Sequence, residues 1–458
     1  MDNLEEQYED SLGEDSKRIL AEITTIKEVC PIVNADRIKL ARFSTNFWEC
    51  VISCDEFKVG DKAVFFEIDS FLKPDERYDA ILSKCLKTMK GESGYRIRSQ
   101  TFRSQLSQGF CMPLSKFPEL DQNAADGTDV TELLGVKLYQ KPVTRQSGYL
   151  MGKSKGDFPS HLVPKTDQIR IQAFKTEEVV NLFNMVWEVS EKAHGTSCTM
   201  LCTTLLTIGG YIPDYGFDVC SRNNIIKESG LETVTFKRRL EEGEEQREDD
   251  IIDPEHQTIW RTETKQQKVN SVYWDMANKY AIKERLTKYC QENSRRLAIQ
   301  GEICGPGIQS NTLKLPDVQF FVFDVYDIDS KQYFSSSDRL ALLEELNKYE
   351  PDMPKIQHVP VLGYDTICPT YSHIKDAIYE IESKRAECKY KDADDKVKWW
   401  AAFLGAIVTN VVKDLLVMAD GKTFTNSGPR EGIVLKSVSN PNKSFKCINN
   451  RFLLSEKD

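Results

Sequence analysis

The chain has 458 residues, which exceeds the usual size of a single domain and predicts two or three domains, each able to bury its own core. Its formal net charge of −10 excludes a protein that coats nucleic acid through a bulk positive field, although it is compatible with a local basic groove. Thirteen cysteines without a C-x-x-C pair exclude a disulfide framework or a cysteine metal cluster and indicate a reducing compartment.

The N-terminus carries an acidic, polar segment, for which we predict a disordered tail over residues 1–16 and no signal peptide. The longest apolar run, Trp399 to Val412, contains Thr409 and Asn410 and is too short to span a bilayer. We therefore expect a soluble, intracellular protein that does not contact a membrane, with a monomer favoured and the compartment left open.

A series of short β-type runs separated by turns follows, from about Ile19 to Lys141. The runs read ILAEITTI, DRIKLARF, FWECVIS and KAVFFEI, with a hairpin-type turn at KVGD. About five such strands predict a small barrel, and the OB-fold is the small barrel that most often holds oligonucleotides on a strand face. We place an OB-type β-barrel at residues 17–150.

Basic and aromatic residues alternate inside this barrel, in YRIRSQTFRSQLSQGF. Arg96, Arg98 and Arg103 are interleaved with Tyr95 and Phe102, a pattern that suits phosphates and stacked bases. A hairpin with a charged outer face explains the same pattern equally well.

A second domain follows the Gly-, Ser- and Lys-rich segment Met151 to His161. Strand-type runs alternate with helical ones over residues 160–458, which predicts an α+β fold. Apolar residues at helical spacing predict helices over Ser271 to Gln291 and Lys396 to Met418. Residues 228–267 carry mixed charge with little apolar periodicity, and we interpret most of them as a surface insertion.

The motif EKAHGTS follows the first strand of this domain and places Lys192 beside the predicted turn at Gly195. Alone, K-x-x-G occurs often by chance. Further segments follow in a fixed order, each with a residue type that nucleotidyl transfer needs: Arg222 in CSRNN, Glu302 in QGEICGPG, the aromatic run FFVFD, Glu431 in REGIVLKS and Lys446 in KSFKCIN. This order is the pattern of the covalent nucleotidyltransferases, which include DNA ligases, RNA ligases and capping enzymes.

Within that superfamily the chain resembles the Deinococcus-type RNA ligase family, in which an OB domain precedes an α+β, ATP-grasp-like nucleotidyltransferase domain. The resemblance covers nearly the whole chain and rests on ADRIKLA, FKVGDKAVFFEIDSFL, SQGF, KTDQIRIQ, EKAHGTS, SRN, QGEICGPGIQSN, FFVFDVYD, EGIVLKS and SFKCINNRFLL. EKAHGTS and GEICGPGIQSN also resemble the RNA ligase 2 group, whose nucleophile motif reads K-x-H-G-T.

The resemblance implies an ATP-dependent RNA ligase that carries AMP on a lysine and seals 5′-phosphate and 3′-hydroxyl ends, with nicked or broken RNA duplexes as substrate and Mg²⁺ or Mn²⁺ as cofactor. For catalysis it implies Lys192, Glu431 and Lys446, with Glu431 and Glu302 as metal ligands. For nucleotide binding it implies Glu191, which would read the adenine N6 amine, with His194, Gly195, Arg222, Glu302, Phe320, Phe323, Lys436 and Lys443. For RNA binding we select Arg96, Arg98, Arg103, Lys165 and Arg170.

The chemistry adds one requirement, because a protonated lysine is a poor nucleophile. We expect desolvation and nearby positive charge to lower the pKa of the Lys192 amine. A hard cation needs only one or two carboxylates, since water and phosphate supply its other ligands.

The chain departs from the family pattern in three places. The insertion at 228–267 has no counterpart, and Tyr371 to Asp395 is longer than usual. The last motif of the family is often K-x-K, but here Ser444 stands two residues before Lys446. Which second lysine contacts the α-phosphate therefore stays open, with Lys443 as one candidate.

Twelve residues follow Lys446, so we expect no C-terminal OB domain of the kind that orients the leaving group in DNA ligases. Lys165, Arg170 and Gln172 in KTDQIRIQ are candidates for that task, although a charged helix start packed between domains explains them as well. Two other functions remain compatible with the sequence: a GTP-using, capping-type guanylyltransferase, and a non-catalytic RNA-binding protein.

Overall fold

The computed structural model describes residues 18–140, 151–205, 214–241, 244, 246–247, 250–253, 258–385 and 393–455. The predicted disordered tail, residues 1–16, lies outside these ranges. An N-terminal β region is followed by an α+β region, as the sequence predicted.

The N-terminal region is built mainly from two antiparallel sheets. Its elements are β1 (Ala21–Ile32), β2 (Ala35–Phe43), β3 (Glu49–Ser53), β4 (Lys62–Phe66), β5 (Ser70–Leu72), α1 (Asp79–Leu82), β6 (Leu86–Met89), β7 (Glu92–Arg96), β8 (Gln100–Phe102), β9 (Gln105–Ser107), β10 (Phe110–Pro113) and β11 (Lys137–Leu138). One sheet has the order β10-β4-β1-β2-β3 and the other β11-β5-β7-β6, while β8 and β9 form a separate hairpin. Neighbouring residues of β4 point to opposite faces, so Phe65 and Phe66 lie in different apolar clusters and the sheet has a core on both sides.

The α+β region contains two larger sheets and most of the helices. Its elements are β12 (Ser154–Asp157), β13 (Ile169–Arg170), α2 (Thr176–Val180), β14 (Val186–Lys192), β15 (Thr196–Leu205), β16 (Asp214–Ser221), β17 (Asn224–Ile226), β18 (Gly230–Arg239), β19 (Ile251–Asp253), β20 (Thr258–Val269), α3 (Val272–Lys279), α4 (Ile282–Asn293), β21 (Leu297–Cys304), β22 (Gln319–Asp327), β23 (Gln332–Tyr333), α5 (Ser336–Tyr349), β24 (Gln357–His358), β25 (Val361–Thr366), α6 (Tyr371–Arg385), α7 (Ala393–Ala419), β26 (Gly432–Ser437), β27 (Ser444–Ile448) and α8 (Asn450–Ser455).

Each large sheet buries one face against helices. The eight-stranded sheet runs β12-β17-β16-β15-β21-β22-β23, with β24 beside β22, and packs against α3, α4 and α5 through a core that includes Phe320 and Leu286. The five-stranded sheet runs β13-β27-β26-β14-β25 and packs against α2 and α7 through Val189, Leu435 and Val411. The other faces of the two sheets meet each other, and ionisable side chains join them.

Helix α7 begins three residues before the predicted start and ends one residue after the predicted end. By length and composition alone its segment Lys396–Ala419 could cross a membrane. The second half of the helix places Val408, Val411 and Leu415 in the core behind β14, which accounts for the apolar character of that half.

Two local predictions differ from the structure. The predicted helix over Ser271 to Gln291 is two helices, because Ala281 adopts a left-handed conformation with φ +45° between α3 and α4. The charged insertion forms a three-stranded antiparallel sheet in the order β18-β20-β19. Apolar periodicity does not reveal these strands, because their facing side chains form ion pairs instead of apolar contacts. Arg238 and Arg261, for example, lie opposite each other and both form ion pairs with Glu244.

The segment Ile169–Ala173 joins the two regions. Its strand β13 pairs in parallel with β27, and Phe47 of the N-terminal region donates a backbone hydrogen bond of 2.7 Å to the Gln172 carbonyl. Ala173 packs against the core around β3 and β4. The N-terminal region is thereby fixed to the edge of the five-stranded sheet.

Candidate active site

Strand register places three basic residues on one face of the five-stranded sheet. Lys192 on β14 lies opposite Gly432 on β26, and Lys446 on β27 lies opposite Arg170 on β13. Because Val434 pairs with both Ser190 and Lys446, alternate residues of β14 and β27 share this face. The face therefore carries the amines of Lys192 and Lys446 and the guanidinium of Arg170.

The Lys192 amine is held by a carboxylate at the start of β26. Its Nζ lies 2.7 Å from Oε1 of Glu431, and Oε2 of the same carboxylate lies 3.2 Å from Nδ1 of His194. All three side chains are largely buried, and Lys192 keeps 24% of its surface exposed. One glutamate thus contacts both functional residues of the K-x-H-G motif.

Glu302 approaches the same lysine from the facing sheet. Its Oε1 accepts a 3.1 Å hydrogen bond from the Gly195 backbone N–H, and Ser197 lies directly across from it on β15. A Cβ atom on Gly195 would lie 2.1 Å from the Ile303 carbonyl oxygen, so this close approach of the two strands requires glycine. The glycine of the motif is explained by packing.

The two carboxylates differ in their pKa values. Burial alone would raise the pKa of Glu431, but Lys192 and His194 outweigh burial and hold the pKa at about 2. Burial raises the pKa of Glu302 to about 7, because Lys192 offsets only part of the desolvation and the charge of Glu431 adds to it. One of the two is therefore firmly ionised and the other titrates near neutral pH.

The predicted lowering of the Lys192 pKa is wrong for this arrangement. Burial does lower the pKa, but the charges of Glu431 and Glu302 outweigh burial and the pKa lies above its ordinary value. The prediction counted the nearby cations and left out the two carboxylates.

Lys446 has the lowered pKa that was expected of Lys192. Burial reduces the pKa of its amine to about 8, and the positive charges of Arg170 and Lys192 act in the same direction. Its Nζ lies 3.4 Å from Asp167, which also forms an ion pair with Arg222. Asp167 thus brings the predicted Arg222 and Lys446 together.

Arg170 links this face to the N-terminal region. Its guanidinium lies 3.7 Å from Asp69, a carboxylate that Arg96 also contacts at 3.2 Å. Arg96, predicted to bind RNA, additionally stacks over Tyr139 and is mostly buried. Within the described part of the chain, Nη1 of Arg170 is buried without a hydrogen-bond partner.

Several predicted site residues are not brought to this face. Glu191 points to the opposite face, where its carboxylate accepts a 3.2 Å hydrogen bond from the Phe424 N–H, because neighbouring strand residues alternate in direction. Its assignment to the adenine N6 amine stays a prediction. Lys443 lies in the turn between β26 and β27, directly before Ser444. This turn is at the end of the two strands that is remote from Lys192.

Lys436 shares the face of Lys192 but is sealed off from it. It is 5% exposed, forms an ion pair with Asp324 of the facing sheet and lies 4.6 Å from the Tyr333 ring centre. Burial lowers the pKa of its amine despite the attraction of Asp324. This lysine is an internal charge pair and does not reach the open part of the site.

The predicted phenylalanines separate into core and site. Phe320 is fully buried among the helices behind the eight-stranded sheet, whereas Phe323 is half-buried beside Ala193. Sequence reasoning missed Phe321, which faces the same cluster and packs edge-on against Phe424 at 5.5 Å. The sequence could have indicated Phe321, because side chains alternate along FFVFD and only every second residue can lie on the same side of the sheet as Glu302.

Arg98, Arg103 and Lys165 are exposed. Asp69 and Asp167 were also missed, and the sequence carried little signal for them because an isolated aspartate in a loop has no recognisable pattern.

The donor set around Lys192 offers few protein ligands for a metal. No group of three or more His, Cys, Asp or Glu side chains within the described ranges is arranged to hold an ion. Glu431 and Glu302 still face one amine from opposite sheets, and two carboxylates suit a hard divalent cation that takes its other ligands from water and phosphate.

Comparison with known proteins places both regions. A family model described as RNA ligase matches residues 185–448, and a model of an OB-fold domain matches residues 20–114. No curated protein sequence matches the chain.

Solved structures of Naegleria gruberi RNA ligase are similar at a TM-score of 0.68. A variant with ATP and Mn shares 29% identity and covers 95% of this chain and 99% of its own. A variant with AMP and Mn also shares 29% identity, and a form with PPi shares 30%; each covers 96% of this chain and 100% of its own.

Proposed function

The chain belongs to the RNA ligase family, and from that premise we propose that it is an ATP-dependent enzyme that joins RNA 5′-phosphate and 3′-hydroxyl ends through a covalent AMP on Lys192. The observation that carries the proposal is the 2.7 Å contact between the Lys192 amine and Glu431, on a face that also presents Lys446 and Arg170. A nucleophile, a carboxylate and two phosphate-binding cations are the groups that nucleotidyl transfer to lysine requires.

In the first step the neutral Lys192 amine attacks the α-phosphorus of ATP. A P–N bond forms, the bond from the α-phosphorus to the bridging oxygen breaks, pyrophosphate leaves and the amine loses a proton. Lys446 and Arg170 would attract the phosphate oxygens, and Arg170 has the buried, unsatisfied N–H groups to do so. Lys165 and Gln172, in the same segment, remain further candidates for orienting the leaving group.

Glu431 and Glu302 would hold the divalent cation, Mg²⁺ or Mn²⁺. Such a cation would supply positive charge that offsets the two carboxylates raising the pKa of Lys192 and that neutralises the phosphates. The Naegleria gruberi enzyme, solved with ATP and Mn, supports this choice of substrate and metal.

For the adenine we propose a position against Phe323 and Phe321, next to Ala193. Arg222 would contact ribose or phosphate once Asp167 releases it. His194 and Gly195 shape the turn beside the nucleophile.

In the second step an oxygen of the RNA 5′-phosphate attacks the AMP phosphorus, the P–N bond breaks and Lys192 regains a proton. In the third step the RNA 3′-hydroxyl oxygen attacks the 5′-phosphate, AMP leaves and the hydroxyl proton is released. We propose nicked duplexes with an RNA 3′-hydroxyl strand as substrate, held by the OB-type domain over residues 17–150 while residues 160–458 perform the chemistry. Arg98, Arg103 and Lys165 are the exposed residues that fit such contacts.

The test is mass spectrometry of the protein mixed with ATP and Mg²⁺ or Mn²⁺. We expect one added AMP on Lys192, transfer of that AMP to a nicked RNA with a 5′-phosphate, and no adduct in Lys192→Ala. Lys436→Ala removes a buried lysine of the same sheet face, and its folded fraction should still carry the adduct. An adduct from GTP alone would assign the capping reaction, and no adduct from either nucleotide would leave RNA binding without catalysis.

A further inference from the structure

The C-terminal helix α8 contacts the catalytic cluster directly. Phe452 of this helix is 3% exposed and packs edge-on against the His194 ring, with ring centres 5.0 Å apart. His194 in turn lies 3.2 Å from Glu431. A buried apolar side chain therefore fixes the ring that contacts the carboxylate beside the nucleophile.

The residue before the helix holds the backbone of the same glutamate. The Asn449 N–H donates a 2.8 Å hydrogen bond to the Glu431 carbonyl, and its side-chain amide donates one of 3.0 Å to the Arg430 carbonyl. The Asn449 side-chain oxygen accepts from the Arg451 N–H at 2.9 Å, which fixes the first turn of α8. Asn449 is 1% exposed, so these bonds are shielded from water.

We infer that Phe452 is a positioning residue for the ligase reaction: through His194 it orients Glu431 so that one carboxylate oxygen faces the nucleophile and the other faces the imidazole. Two supports converge on Glu431 from one short element, Asn449 on its backbone and Phe452 on its side-chain partner. The inference rests on the proposed function, since it assigns a role within that reaction. It adds a determinant on the helix that follows the last strand of the five-stranded sheet.

A positioning role for Phe452 can be distinguished from a purely structural packing role, because it acts through the His194 ring. Phe452 reaches the cluster around Lys192 through the His194 imidazole, so its effect on chemistry should shrink when the imidazole is absent. A displacement of about 1 Å in a catalytic group can cost a factor of ten to a hundred in rate. Loss of the Phe452 ring should therefore slow the reaction well before it unfolds the protein.

The experiment is a double-mutant cycle on the full-length chain with Phe452→Ala and His194→Ala. Rates are measured separately for AMP loading and for AMP transfer to nicked RNA. We expect Phe452→Ala to slow the same step as His194→Ala by about tenfold in the wild-type background, and by less than about twofold when His194 is already alanine. Leu453→Ala, half-buried on the same helix, is the matched control and should leave both rates unchanged.

Multiplying effects in the double variant, or slowing of a different step, would overturn the inference. Should Phe452→Ala lose its folded state in thermal unfolding, the cycle is run with Phe452→Leu, which keeps an apolar contact and should retain part of the rate. Absence of AMP loading in the wild-type protein would instead reject the proposed function itself, so the two failures are distinguishable.

Discussion

Two lysines lie on one face of the five-stranded sheet, four residues of paired strand apart, and they differ in exposure. Lys192 pairs with Glu431 and keeps a quarter of its surface exposed, whereas Lys436 pairs with Asp324 and is almost fully buried. The difference lies in their surroundings, because Arg339 contacts the Asp324 partner of Lys436 and the Tyr333 ring lies against the Lys436 amine. A lysine–carboxylate pair therefore indicates function only where the strands leave room for a substrate.

The closed pair belongs to a buried charge cluster that joins both sheets and α5. Arg339 contacts Glu188 at 2.5 Å, Asp324 at 3.7 Å and Nε2 of His358 at 2.8 Å. Glu188 lies opposite Lys436 in the strand ladder. The cluster around Lys192 stays partly exposed, while the charges of the closed cluster face one another between the sheets.

The largest expected effect is on the open lysine. Lys192→Ala should reduce sealing of nicked RNA by more than about a thousandfold, because the proposed nucleophile is removed. Its melting temperature should fall by less than that of Lys436→Ala, since Lys192 and Glu431 are less buried than Lys436 and Asp324. Sealing assays and thermal unfolding measure the two quantities. A loss of sealing much smaller than about a thousandfold would show that Lys192 is not the nucleophile.

The closed lysine should show the reverse pattern. Lys436→Ala leaves Asp324 buried without its partner, which should lower the free energy of unfolding by about 3–5 kcal/mol. The folded fraction should still load AMP on Lys192. In denaturant unfolding, Lys436→Met combined with Asp324→Leu should recover part of the loss, because no unpaired charge remains. A stable Lys436→Ala that fails to load AMP would show that this lysine acts in catalysis.

The closed cluster should also set a pH dependence of stability. Burial, reinforced by the charge of Arg339, lowers the pKa of His358 to about 4. Between pH 4 and the unfolded pKa near ~6.5 the unfolded chain binds more protons, so stability falls as the pH decreases through this window, by at most about 3 kcal/mol.

Urea unfolding at pH 7 and pH 5 measures that fall, and His358→Gln should reduce it. An unchanged pH dependence in that variant would show that other groups control acid stability.

The smallest expected effect extends the comparison to the N-terminal region. Arg103→Ala, at the tip of the β8–β9 hairpin, should weaken RNA binding by a few fold. It should also reduce the slope of the logarithm of the binding constant against the logarithm of salt concentration by about one. Arg96→Ala should destabilise the protein instead, since Asp69 and Tyr139 already engage that side chain. Binding titrations at several salt concentrations measure the first effect, and equal salt slopes for both variants would contradict it.

Much of the architecture could be predicted from the sequence. The strands that carry Lys192 and Glu302, and the strand that begins directly after Glu431, belong to the alternating strand-type and helical runs that the sequence predicted for this domain. The charged insertion was the main exception, because apolar alternation is the signal that reveals a strand and ion pairs replace it there.

The sequence by itself determined the K-x-H-G motif and the order of the segments that follow it, since both depend on local residue type and spacing. Only the tertiary structure decided which charges are open. The facing sheet buried Lys436, while distant loops brought Asp167 beside Lys446 and Asp69 beside Arg170. The physical reason is that a charge is available or satisfied according to partners far away in the chain, and no local pattern records them.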